Sequence, residues 1–154
     1  MAIMIYLLKE YANEEFDVAK AMMMALIHDI VEIDAGDIYA YDNANLETQK
    51  NREEKAADRI YGLFLDEQRN ELKSLFEEFE EDVTPEAKFA RVMDNFQPII
   101  LNNYNNGEDW KRHGIKKSQV VNRQRKSELG SKDIWEYTKE LIENNVKKGN
   151  LINE

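Results

Sequence analysis

An all-α fold is the architecture this sequence predicts, and three observations carry it. Its 154 residues include only two prolines and six glycines, the residues that most oppose helix interiors. Glutamate, lysine, leucine and alanine, all good helix formers, recur throughout. Apolar residues also return at three- and four-residue spacing, the period of a helix with one buried face. Together these predict one domain over residues 1–154, a bundle of about six or seven helices, long enough to bury a real core.

Taken in order, the first helix runs from Met1 to about Ala12, with its hydrophobic pattern already under way at Met1 and no capping residue ahead of it. That suggests missing sequence upstream. Asn13 is the expected cap of the second helix, with Glu14 and Glu15 in the first turn beside the positive end of the helix dipole. The helix extends to about Ile33, presenting Phe16, Ala19, Met22, Met23, Leu26, Ile27 and Ile30 as one apolar face, the methionines acting as core filler. Ile38 to Asn45 reads as a loop packed by Tyr39 and Tyr41. Leu46 to Leu65 is a charged helix whose Ala56, Ala57, Ile60 and Leu63 point inward. Glu67 to Glu81 buries Leu72, Leu75, Phe76 and Phe79, and its acidic run from Glu77 to Asp82 reads as a solvated face.

Thr84-Pro85 is a strong start signal, a hydroxyl cap followed by proline at the first helical position. The helix that follows reaches about Asn103 and buries Phe89, Val92, Met93, Phe96, Ile99 and Ile100. Asp94 lies beside that stripe, with Arg91 three residues back as a candidate surface partner. Pro98 has no N–H and collides with the carbonyl of Asp94, so the helix is expected to kink or loosen there. An asparagine-rich break ends at Gly107. Residues 111–126 carry lysines and arginines but no acid, and read as a solvated amphipathic segment. The last helix starts at Ser131 or Lys132 and ends near Lys148, before Gly149.

Composition excludes several functions. The net charge of -10 opposes general binding to a nucleic-acid phosphate backbone. Cysteine is absent, which removes disulfides and thiolate metal sites. No apolar run is long enough to span a membrane. The apolar start from Met1 to Leu8 is too short for a signal peptide and lacks a basic leader, so a cytoplasmic protein is expected.

Chemistry concentrates at His28, Asp29, Glu32 and Asp37. Apolar Ala25, Leu26, Ile27, Ile30, Val31 and Ile33 surround the first three, so His28 and Asp29 are expected to face an interior pocket. An imidazole and a carboxylate buried side by side need compensation, either a divalent cation or a hydrogen-bond network. Glu32 lies one turn on, near enough to reach water on such a cation. Gly36 is expected to end the helix in a left-handed cap and deliver Asp37 at the turn.

His28-Asp29, Glu32 and Gly36-Asp37 at these offsets resemble the motif of HD-domain metal-dependent phosphohydrolases, and most of all their small 5'-deoxynucleotidase branch. Asp94, followed by an apolar residue, Gln97 and Pro98, resembles the distal metal ligand of that family. Trp110, His113, Gly114 and Ile115 match a further, structural landmark. The resemblance implies an HD-domain helical bundle in which His28, Asp29 and Asp94 hold a divalent cation: Mn, Co, Fe, Ni, Zn or Mg. Glu32 would take a proton from water, and Asp37 would hold that water or protonate the leaving 5' oxygen. A nucleoside 5'-monophosphate substrate and a homodimer are implied as well.

The same family places another ligand histidine, and usually a substrate-contacting arginine, just before the position where this chain begins. Neither is present, through truncation or genuine loss, so impaired activity is expected. The alternative is a non-catalytic HD scaffold used for nucleotide sensing or protein interaction.

Overall fold

The structure is a computed structural model that describes residues 1–37, 41 and 46–154, with backbone alone at 46 and 47. The expected loop at 38–45 therefore lies outside the described residues except for Tyr41, which is partly buried against the main core. Among the described residues every element is helical: α1 (Ala2–Leu8), α2 (Val18–Ile27), α3 (Glu32–Ala35), α4 (Leu46–Tyr61), α5 (Asp66–Glu81), α6 (Pro85–Tyr104), α7 (Glu108–His113), α8 (Lys117–Gln124) and α9 (Lys132–Lys147). Three 3₁₀ turns, Lys9–Tyr11, His28–Val31 and Arg125–Leu129, join some of them. The all-α expectation holds, with more pieces than expected because short segments separate the long helices.

The second helix departs most from its sequence reading. Its cap is Asp17, whose carboxylate accepts the N–H of Lys20 at 3.0 Å, four residues after the expected cap Asn13. Asn13 is used elsewhere. Its backbone N–H donates to the Gly130 carbonyl, its side-chain amide donates to Glu128 O at 2.8 Å, and its Oδ1 accepts from Lys132 N at 2.9 Å. The Ser131 hydroxyl, which caps α9, donates to Tyr11 O at 2.6 Å. A polar residue at a helix approach is thus consumed by a junction with the far end of the chain.

The buried face of α2 is Ala21, Met24 and Ile27. Met23 and Leu26, expected inside, are turned outward, because the 3.6-residue period that buries Ala21, Met24 and Ile27 carries them off that stripe. Leu63 is exposed too, since α4 stops at Tyr61 and Leu63 lies in the turn beyond it.

Helix α6 is the central element. It packs on α1, α2, α5 and α9 and buries Phe89, Val92, Met93, Phe96 and Ile99. As expected, the Thr84 hydroxyl caps it, accepting the N–H of Ala87. It passes unbroken through Pro98. One residue past the carbonyl that proline leaves unpaired, the Gln124 amide donates to Asn95 O at 2.8 Å. The tolerance has a physical source: α8 supplies a buried donor beside the weakened turn.

A main core gathers Met24, Phe79, Phe89, Met93, Trp110, Val120 and Ile142. A smaller one gathers Ile27, Val31, Ala57, Ile60, Tyr61 and Phe76. His28 follows Ile27 directly, and its ring lies 4.6 Å from that of Phe79, which puts it at the seam between the two.

Charged surface segments are more engaged than their sequence suggests. Glu78 pairs with Lys20 at 2.7 Å and accepts the Thr84 hydroxyl, so the acidic run partly buckles α5 to α2 and α6. Lys117 pairs with Glu143 at 2.5 Å, and Lys116 pairs with Glu154. These pairs occupy cations of the basic stretch within the fold. No helix among the described residues is long and apolar enough to cross a membrane.

Candidate metal centre

The chain changes helix type where the chemistry sits. α2 ends at Ile27, residues 28–31 tighten into a 3₁₀ turn, and α3 resumes at Glu32. Such a switch within an otherwise continuous helix often accompanies a functional site. It is held from outside, because the buried Tyr61 hydroxyl of α4 donates to Ile27 O at 3.1 Å.

The His28 ring is buried, its side chain only 6% exposed. Nδ1 lies 3.2 Å from Ala25 O. A carbonyl oxygen can only accept, so Nδ1 carries the hydrogen and the neutral ring presents its lone pair at Nε2. Nε2 in turn faces two acids from distant parts of the sequence: Asp29 Oδ1 at 2.7 Å and Asp94 Oδ1 at 3.6 Å. It forms no aligned hydrogen bond with either, and the two acids reach it only as ion-pair partners of a charged ring. A lone pair aimed at two carboxylates is repulsive unless a cation stands between them. That cation is a proton or a metal ion.

Titration behaviour expresses the same conflict. Burial depresses the imidazole pKa, but Asp29 and Asp94 more than reverse it and carry it up to about 9. Burial also raises the Asp94 carboxyl, yet His28, with help from the charges of Arg91 and Arg123, holds it below the usual carboxylate value. Glu32 moves the other way. Burial first, then the charges of Asp29, Asp37 and Glu53, push it up to about 7.

His28, Asp29, Glu32, Asp37 and Asp94 all line one cleft of about 580 Å³. The site thus joins the seam after α2 to α6, as the sequence implied. Asp29 differs from expectation. Its side chain is 66% exposed, because the 3₁₀ turn leaves it at the cleft mouth while His28 points inward. Gly36 has a positive φ of 76° as expected, but its ψ of 152° is extended. That is a glycine-only conformation rather than a left-handed cap. Asp37 follows it at the cleft edge. Gln49 of α4 secures the turn, its amide donating to Gly36 O at 2.9 Å and to Glu53 at 2.7 Å.

The residues present fit a divalent cation by donor chemistry: one imidazole nitrogen and two carboxylates converging on an unsatisfied buried atom. Among the described residues no three such groups are clustered tightly enough to hold an ion as they stand. Ligands about 2.1 Å from an ion at right angles stand roughly 3 Å apart, and the two observed separations fall on either side of that. His113 takes no part: it lies at the end of α7 beside Asp109, 3.6 Å away, and outside the cleft lining.

Sequence reasoning missed Gln49, Lys50 and Arg123, which also line the cleft. It also took Arg91 for a surface residue. The Arg91 side chain is 25% exposed, 3.8 Å from Asp94 and stacked on Phe79. The three-residue spacing from Asp94 was a usable signal; for Gln49 and Arg123 nothing in the sequence distinguished them from neighbouring polar residues.

Comparison with known proteins agrees with this geometry. An HD-domain family model matches residues 1–135. The 5'-deoxynucleotidase HDDC2 of Danio rerio is 40% identical over 81 residues, covering 53% of this chain and 40% of that protein. Its Homo sapiens counterpart is 34% identical over 100 residues, covering 65% of this chain and 48% of that protein. The matched regions thus span less than half of these relatives. A solved structure, that of a predicted metal-dependent phosphohydrolase from Magnetospirillum magnetotacticum MS-1, superposes with a TM-score of 0.91 at 38% identity, covering 98% of this chain and 77% of that one. On fold, site geometry and sequence match together, the chain belongs to the HD-domain family.

Proposed function

We propose that this chain is a metal-dependent phosphohydrolase scaffold for nucleoside 5'-monophosphates, of the 5'-deoxynucleotidase kind. The observation that carries the reading is the buried Nε2 of His28, facing Asp29 and Asp94 without a hydrogen bond. His28, Asp29 and Asp94 would hold the ion, which when bound supplies Lewis acidity toward a phosphoryl oxygen and toward water.

The chain's own residues then have distinct tasks. The Nδ1 hydrogen bond to Ala25 O fixes the tautomer that leaves Nε2 free to ligate. Glu32 accepts a proton from the attacking water, a role suited to a carboxyl raised to about 7. Asp37, on the turn secured by Gln49, delivers a proton to the departing 5' oxygen. Water adds to phosphorus, the P–O5' bond breaks, and the products are a nucleoside and inorganic phosphate. Only ionised Glu32 accepts a proton, so turnover is expected to fall as the pH drops far enough to protonate it.

One of the chain's two histidines, His28, lines the cleft. The test is phosphate release from deoxynucleoside monophosphates by Mn- or Co-loaded protein, beside Asp94→Asn. Metal-dependent release lost in the variant supports the reading, and release unaffected by Asp94→Asn refutes the site. A homodimer belongs to the same reading, supported by the outward Ile3 and Leu7 of α1 and Leu26 of α2.

A further inference from the structure

The cleft has a charge problem that the metal ligands do not solve. Its described lining includes six carboxylates, from Asp29, Glu32, Asp37, Glu53, Glu80 and Asp94, against Lys50, Arg91 and Arg123. A phosphate monoester is an anion, and six carboxylates against three cationic side chains leave this pocket repulsive to it even with one divalent ion bound, unless a cationic side chain also stands where the phosphoryl group must sit.

Arg91 is built for that position. Its guanidinium carbon lies 3.8 Å over the Phe79 ring, and Nη2 donates to Phe79 O at 3.1 Å and to Glu80 Oε1 at 2.9 Å. One nitrogen therefore anchors the group completely. The other, Nη1, makes no hydrogen bond among the described residues and stands 3.8 Å from Asp94 Oδ2. Asp94 turns its second oxygen, Oδ1, toward His28. The carboxylate of Asp94 thus separates an ion-binding imidazole from a pre-positioned guanidinium. Phe79, fully buried, contacts both groups and so fixes their relation.

We propose that Arg91 is the phosphoryl-binding residue of the cleft, presenting Nη1 to a phosphate oxygen beside Asp94. This deepens the phosphohydrolase reading and rests on it for the identity of the substrate. A guanidinium already immobilised loses little freedom on binding, which a solvent-exposed lysine such as Lys50 does not match. A role confined to tying α5 to α6 would be met by Nη2 alone, while Nη1, in a long 3.8 Å ion pair with Asp94, keeps its hydrogens free of any hydrogen bond among the described residues.

Inorganic phosphate is the probe, titrated calorimetrically into the full chain with and without Mg²⁺. Arg91→Met keeps the apolar contact with Phe79 and removes the donors. It is expected to weaken phosphate at least about tenfold, the loss of one charge-assisted hydrogen bond, while Arg91→Lys falls between. Melting curves show whether each variant is folded. A folded Arg91→Met protein with wild-type phosphate affinity overturns the proposal, as does a wild-type chain that binds no phosphate. Should Arg91→Met fail to fold, the wild-type chain decides. Phosphate is expected to slow phenylglyoxal modification of Arg91, read by peptide mass spectrometry, and an unchanged rate overturns the assignment. Phosphate held through Arg91 by a chain that hydrolyses no nucleotide would sink the substrate reading and leave this one standing. Hydrolysis with an unchanged KM in Arg91→Met would do the reverse.

Discussion

Metal binding at His28 should expel a proton, and the pH dependence of that exchange tests the site directly. In the metal-free chain the imidazole titrates near 9 because Asp29 and Asp94 outweigh its burial. At pH 7 only about 1% of it is then neutral. Nε2 cannot hold a proton and a metal together, so apparent affinity should fall about tenfold for each pH unit below that pKa, or about 100-fold from pH 9 to pH 7. Calorimetry with Mn²⁺ in buffers of different ionisation heat counts the protons released, and close to one per ion is expected at neutral pH.

The linked stability has a fixed sign. The folded pKa lies above the ordinary 6.5, so the contribution from His28 is complete below pH 6.5 and disappears as pH rises through about 9. A shift of that size on a side chain this buried is worth about 3 kcal/mol. Metal-free protein should therefore lose stability over that window, and His28→Gln should flatten the loss. Zero proton release, together with metal affinity that stays level between roughly pH 6.5 and 8.5, would show that no shared cation position exists among these three side chains.

Two further substitutions probe the support of the site. Phe79→Ala removes the fully buried ring between His28 and Arg91; it should cost about 3–5 kcal/mol in urea unfolding and weaken metal and phosphate together, whereas an effect on stability alone would deny the ring its positioning role. Gly130→Ala places a methyl 2.7 Å from both Lys88 O and Val92 Cγ2; overpacking against backbone should cost about 1–3 kcal/mol, visible as a lowered Tm, and a neutral result would mean that α6 can shift away.

Much of the fold was legible because its signals are local. The Thr84-Pro85 start, the start of the last helix at Ser131 or Lys132 and the buried stripe of α6 follow from short-range rules, and all three appear where expected. The residues singled out in the sequence, His28, Asp29, Glu32, Asp37 and the distant Asp94, line one cleft. What failed to show were choices made by long-range partners. Asn13 looked like a helix cap because asparagine is a good one, yet residues 128–132 claim it. Glu78 and Glu80 looked solvated until Lys20, Thr84 and Arg91 met them from other helices. The outward turn of Met23 and Leu26 depends on the direction of α2 against α6, which periodicity fixes only to within a residue. Gln49 gains its meaning solely from the Gly36 carbonyl it holds.

The junction of Tyr11 and Asn13 with residues 128–132 has a consequence for how the molecule opens. Four hydrogen bonds staple the approach to α2 onto the start of α9, and α6, bearing Asp94, runs between those two regions. Fraying that begins at the amino end therefore cannot stay there: releasing it takes the Asn13 acceptor from Lys132 N–H and the Tyr11 acceptor from the Ser131 hydroxyl, and loosens the wall that carries the distal acid. Residues separated by more than a hundred positions should exchange their amide hydrogens as one cooperative unit, and the integrity of the cleft is tied to that seam.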